Sequence, residues 1–157
     1  MHQSFEFFPK INYDGFKDAA DNISDFLKLH GLSTETVQEQ VVIAEQLLTA
    51  CLRYSGSNSS IEKTKIQIHL NGAQVTIEVS NPIDDIENKQ LEHLDELIQY
   101  LRGYQDPFEA FTNLKNASNN GAPGISLAEM AYLKQTTLDF FVSEDNMLNL
   151  SAVRNIN

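Results

Sequence analysis

The sequence predicts an α+β fold, a two-layer sandwich of helices on a mixed, mostly antiparallel sheet, and three patterns lead there. Ile66, Ile68 and Leu70 alternate with polar residues, Asn71-Gly72 supplies a turn, and Val75, Ile77 and Val79 alternate again, as in a β-hairpin. Apolar residues from Phe16 to Leu27 and from Val37 to Cys51 recur at the spacing of half-buried helices. Leu138–Val142 and Met147–Val153 read as two closing strands around Ser143-Glu144-Asp145-Asn146.

The other elements follow in order. Phe5 to Phe8 form an aromatic run ended by Pro9, a first strand. Asp14 can cap the helix that carries Phe16, Ala19, Ala20, Ile23, Phe26 and Leu27, and Gly31 marks its end. Ser33 or Thr34 opens a long helix with Glu35 in its first turn. Its core stripe is Val37, Val41, Ala44, Leu48 and Cys51, widened by Val42, Ile43 and Leu47. Ser55 to Ser60 is a loop. Asn81-Pro82 ends the second hairpin strand, because proline cannot donate to a ladder. Leu91, Leu94, Leu97, Ile98 and Leu101 lie at helical spacing, with Asp84, Asp85 and Glu87 near the start of that helix. Asp106-Pro107-Phe108-Glu109 opens a further helix. The loop from Asn119 to Gly124 leads into a helix with Ile125, Leu127, Ala128, Ala131 and Tyr132. No repeat or linker interrupts the chain, so residues 1–157 read as one domain.

Composition narrows the function. The chain has 157 residues and 41% hydrophobic content, enough for a real core. No apolar run reaches the ~20 residues of a membrane helix, and no basic-then-apolar leader opens the chain, which points to the cytoplasm. A net charge of −11 without a basic cluster argues against nucleic acid as a partner. A single cysteine, Cys51, excludes an internal disulfide, and its place on an apolar helix face predicts a buried thiol. His2, His30, His69 and His93 lie far apart with no metal-ligand spacing, so no zinc site is expected.

Three constellations carry candidate chemistry. Glu45, Thr49 and Arg53 are each four residues apart on the long helix and share one stripe beside Val41, Val42, Leu48 and Leu52. Glu45 there is either a general base or one half of a structural ion pair with Arg53 or another cation. Gly121-Ala122-Pro123-Gly124-Ile125-Ser126-Leu127 places glycines at a helix start, where backbone N–H groups can meet a phosphate, although Pro123 removes one donor. Asn81 with Asp84 and Asp85 is either an adenine-reading edge or a turn followed by helix-capping carboxylates. The leucine-rich helix around Leu91–Leu101 reads as core, or as a partner surface through Leu97-Ile98-Gln99-Tyr100-Leu101.

In this order the pieces resemble the histidine-kinase-type (GHKL) ATPase fold, and within it the anti-sigma-factor serine kinases and SiaB-type regulatory kinases of bacteria. The segment Phe26 to Ser55, with Glu45-Gln46-Leu47-Leu48-Thr49 and Arg53-Tyr54-Ser55, is similar to the family's Glu-Gln-x-x-Asn and Arg-Tyr-Ser. Val79-Ser80-Asn81-Pro82-Ile83 is similar to the SiaB-type strand end, which carries Asn where histidine kinases carry the adenine-binding Asp. The resemblance implies Glu45 as catalytic base and Thr49 as the metal position. It implies Arg53, Asn81, Asp84, Gly121, Gly124 and Ser126 around the nucleotide, with ATP and Mg²⁺ as cofactors if the site works. It also implies that Glu45 projects into a cleft closed by the loop at 121–124. Thr49 replaces the family's Asn, and Ser126 replaces a glycine of its Gly-Ala-Gly-Leu-Gly-Leu motif, so the metal and phosphate parts read as degenerate.

The reading is therefore a cytoplasmic signalling regulator that binds a small protein such as a STAS-domain antagonist, with a degenerate nucleotide site and a possible homodimer implied by the resemblance. One alternative is an active ATP-dependent Ser/Thr protein kinase. Another is a nucleotide-free interaction module using the Leu91–Phe111 helices.

Overall fold

The computed structural model describes residues 2–9, 16–55, 63–83, 89–103 and 135–156. Five strands form one sheet: β1 (His2–Phe7), β2 (Lys65–Asn71), β3 (Gln74–Pro82), β4 (Thr137–Val142) and β5 (Met147–Asn155), in the order β1-β2-β3-β5-β4. Among the described residues three helices accompany them: α1 (Lys17–Leu29), α2 (Thr34–Tyr54) and α3 (Lys89–Gly103). The α+β architecture is as expected. The sheet is not mixed, however: every described pairing is antiparallel. The short connections β2–β3 and β4–β5 allow only antiparallel neighbours, and β5 then pairs antiparallel with β3.

The β2–β3 turn sits one residue later than the Asn-Gly signal suggests. Asn71 pairs with Gln74, so the two loop residues are Gly72 and Ala73. Only Gly72 has positive φ, at 60°, as the first position of a type II′ turn requires. The β4–β5 connection places Asn146 at φ 59°, the left-handed residue that closes a three-residue hairpin loop. The first strand runs from His2 to Phe7 rather than Phe5 to Phe8, since β2 offers partners back to Asn71, and Phe8 lies exposed beyond the ladder.

Helix boundaries obey local chemistry. Ser33 caps α2, its hydroxyl accepting from the Thr36 N–H. At the end of α1 the Leu32 N–H reaches the Leu27 carbonyl and the Gly31 N–H reaches Lys28, a Schellman motif with Gly31 at φ 84°. The helix begins at Lys17 with Phe16 at its cap position, and the expected Asp14 cap lies outside the described residues.

One face of the sheet forms the core. Ile66, Ile68, Val75, Ile77, Val79, Leu148 and Leu150 join Ile23 and Leu27 of α1, Ala44, Leu47, Leu48 and Cys51 of α2, and Leu94 and Ile98 of α3 in one cluster. Each large aliphatic residue there contributes roughly 1.5–3 kcal/mol by leaving water. Phe26 of α1 stacks on Phe5 of β1 with ring centroids 5.4 Å apart. Val42, expected to widen the apolar surface of α2, is 40% exposed, because the buried arc of this helix turns away from it.

Gln40 is the polar exception on the inner side of α2. It is buried, and its Nε2 has no hydrogen-bond partner among the described residues. An unpaired buried amide carries a desolvation cost without return. Replacing Gln40 with leucine is therefore expected to stabilise the chain by about 1 kcal/mol, read as a melting temperature higher by about 2–4 °C.

Candidate functional site

Helix α2 runs alongside β3. Its first half is fixed by an ion pair between Glu39 and Arg154 of β5. Further along, the Cys51 Sγ lies 3.7 Å from the carbonyl oxygens of Val79 and Leu148. At its end Ser55 meets Asn81. This register leaves Glu45, Thr49 and Arg53 together on the exposed side of the helix, as their spacing requires.

The three stripe residues do not form an ion pair. Among the described residues the Glu45 carboxylate has no salt-bridge partner, and Arg53 has none either. Eight residues along an α-helix span roughly 12 Å, too far for Glu45 and Arg53 to touch directly. The Thr49 hydroxyl donates to the Glu45 backbone carbonyl at 2.9 Å, a bond internal to the helix. Of Arg53-Tyr54-Ser55, only Arg53 faces outward, while Tyr54 and Ser55 are buried. Burial pushes the Tyr54 hydroxyl above its ordinary pKa, with Arg53 opposing the shift.

Asn81 lies on the inner face at the end of β3 and is fully buried. The Thr64 hydroxyl donates to its Oδ1 at 2.7 Å, and its Nδ2 donates to the Ser55 Oγ at 2.7 Å. Ser55 in turn donates to the Leu52 carbonyl at 3.2 Å. The result is a directional relay that ties the residue before β2, the end of β3 and the end of α2 to one another. Thr64 and Ser55 stand 17 and 26 residues from Asn81, and no periodicity in the sequence announces either as its partner.

Asp84, Gly121, Gly124 and Ser126 lie outside the described residues, as do Asp85, the helices expected after Asp106 and Ile125, and the side chain of Leu101. The described donors do not by themselves fit a Mg²⁺–nucleotide. Mg²⁺ requires near-octahedral oxygen coordination. Here Thr49 offers one hydroxyl, Glu45 one carboxylate, and no group of three or more His, Cys, Asp or Glu side chains converges among the described residues. No helix among them is long and apolar enough to cross a membrane.

No protein-family model matches the chain, and no curated protein matches it. Its fold matches a chain in the crystal structure of the SiaB–SiaC complex from Pseudomonas aeruginosa, with a TM-score of 0.62 over 98% of this chain and 89% of that one. The identity is 12%, so the likeness is one of fold.

Proposed function

We propose that the chain is a signalling regulator of the SiaB type that acts by binding a protein partner and has lost most of its grip on nucleotide. The observation that carries this is the fold match along nearly the whole chain to a chain solved in a two-protein complex. The SiaB-like segments around Glu45, Arg53-Tyr54-Ser55 and Asn81 agree with it. Two features of the site support the weakened nucleotide seat. Position 49 carries a hydroxyl in place of an amide carbonyl, and both ends of the Asn81 amide are engaged in an internal relay. The partner is a small STAS-domain-type protein, the compartment is the cytoplasm, and a homodimer is part of the same proposal.

Calorimetric titration with ATP, with and without Mg²⁺, tests the nucleotide half. The expected result is no micromolar binding, and micromolar binding overturns it. Thr49→Asn places an amide carbonyl where Thr has only a hydroxyl, and it is expected to raise Mg²⁺-dependent ATP affinity roughly tenfold or more. Co-purification with a STAS-domain protein from the same genome tests the partner half.

One observation favours a second reading, the active kinase. Glu45 is exposed and no described residue neutralises it, as a general base on a partner serine would require. Transfer of labelled phosphate to the partner, abolished in Glu45→Ala, would establish that reading. A silent titration combined with partner capture that needs the Leu91–Phe111 segment would instead favour the nucleotide-free module.

A further inference from the structure

The fold gathers two histidines that the sequence keeps apart. On the outer face of the sheet, His69 of β2 stands opposite Ser4 of β1 and Thr76 of β3. His2 sits one diagonal step away on β1, opposite Asn71. The two imidazoles are nearly parallel, at 25°, with ring centroids 5.6 Å apart. Two imidazoles on a single tetrahedral ion, with metal–nitrogen bonds of about 2.0–2.1 Å, have centroids about 5 Å apart, so the spacing suits one ion once the stacked rings turn about their Cβ–Cγ bonds to point a nitrogen each at it.

The surroundings favour a cation. Glu6 and Glu78 lie on the same face, in register with Gln67, one alternate position from His69. Lys65 offsets this in part through its 3.9 Å pair with Glu6, and Glu6 also accepts from Gln67 at 2.6 Å. The whole chain carries a net charge of −11.

We propose that His2 and His69 form an open two-imidazole site for a borderline divalent transition ion, Cu²⁺ ahead of Zn²⁺, with water completing the coordination. No third ligand converges among the described residues, so the ion exchanges freely instead of serving as a closed structural centre. Its physical effect is to clip the edge strand β1 to β2.

The test uses the full chain without a histidine tag, titrated with Cu²⁺ and Zn²⁺ separately at pH 7.5. The expected result is one saturable equivalent, weakened about tenfold or more by either His2→Gln or His69→Gln and unchanged by His93→Gln on α3. Binding weakens as pH falls, because a protonated imidazole has no lone pair to offer. The ion also slows amide exchange in β1 of the wild type and in neither His2 nor His69 variant. Absence of saturable binding, or affinity unchanged in His69→Gln, overturns the proposal.

Discussion

Replacing Asn81 with leucine is expected to lower stability by roughly 3 kcal/mol, a fall of about 6–12 °C in melting temperature. Leucine keeps the branched shape and heavy-atom count of asparagine, so the main loss is polar. It comes from the Thr64 hydroxyl, left without its acceptor in a buried site, and from the broken tie between β3 and the end of α2. Thermal unfolding by circular dichroism measures it. Asn81→Asp separates the structural role from adenine reading. In its ionised form the introduced carboxylate can accept from both hydroxyls, but Ser55 must then release the Leu52 carbonyl, and a full charge is buried. In its protonated form the same group donates to Ser55 and restores the relay. Burial raises the folded-state pKa of that carboxyl above its unfolded value of ~3.9, so the folded form holds its proton where the unfolded form has lost it. Stability of Asn81→Asp is therefore expected to fall as pH rises above about 4 and to recover on acidification, relative to wild type. A flat profile would show that position 81 tolerates charge and is open to a ligand.

Cys51 is expected to react with thiol reagents about a thousandfold more slowly in the folded chain than in denaturant. Burial pushes its pKa from an ordinary 9.0 to about 12, so far less thiolate exists at pH 8, and the sulfur is enclosed between α2, β3 and β5. Labelling at pH 8 with and without denaturant gives the ratio directly, and a native rate within tenfold of the denatured one would contradict the packing. The same shift has a signed consequence for stability. Between about pH 9 and about pH 12 the unfolded chain releases the thiol proton while the folded chain keeps it. Stability then falls as pH rises, at up to about 1.4 kcal/mol per unit from this group alone, and Cys51→Ala removes that slope.

Local physics was legible in the sequence. The period-2 runs of β2 and β3, the helical spacing of α1 and α2, the Ser33 cap, the Gly31 stop and the closing strands all appear where residue chemistry places them. Each of these depends on neighbours a few residues away, which the chain itself specifies. The buried Cys51 was equally legible, because helix periodicity assigns its face.

The sequence by itself determined α1, α2, α3 and the two hairpins, most of their buried faces and the coming together of Glu45, Thr49 and Arg53 on one stripe. Only the tertiary structure decided which polar groups answer one another. It closed Asn81 against Thr64 and Ser55, joined Glu39 to Arg154, left the Gln40 Nε2 without a partner among the described residues and laid His2 against His69. The reason is that a side chain's face follows from the period of its own helix or strand. The partner it finds there is set by which distant segments the sheet order and the packing of α2 bring within hydrogen-bond reach.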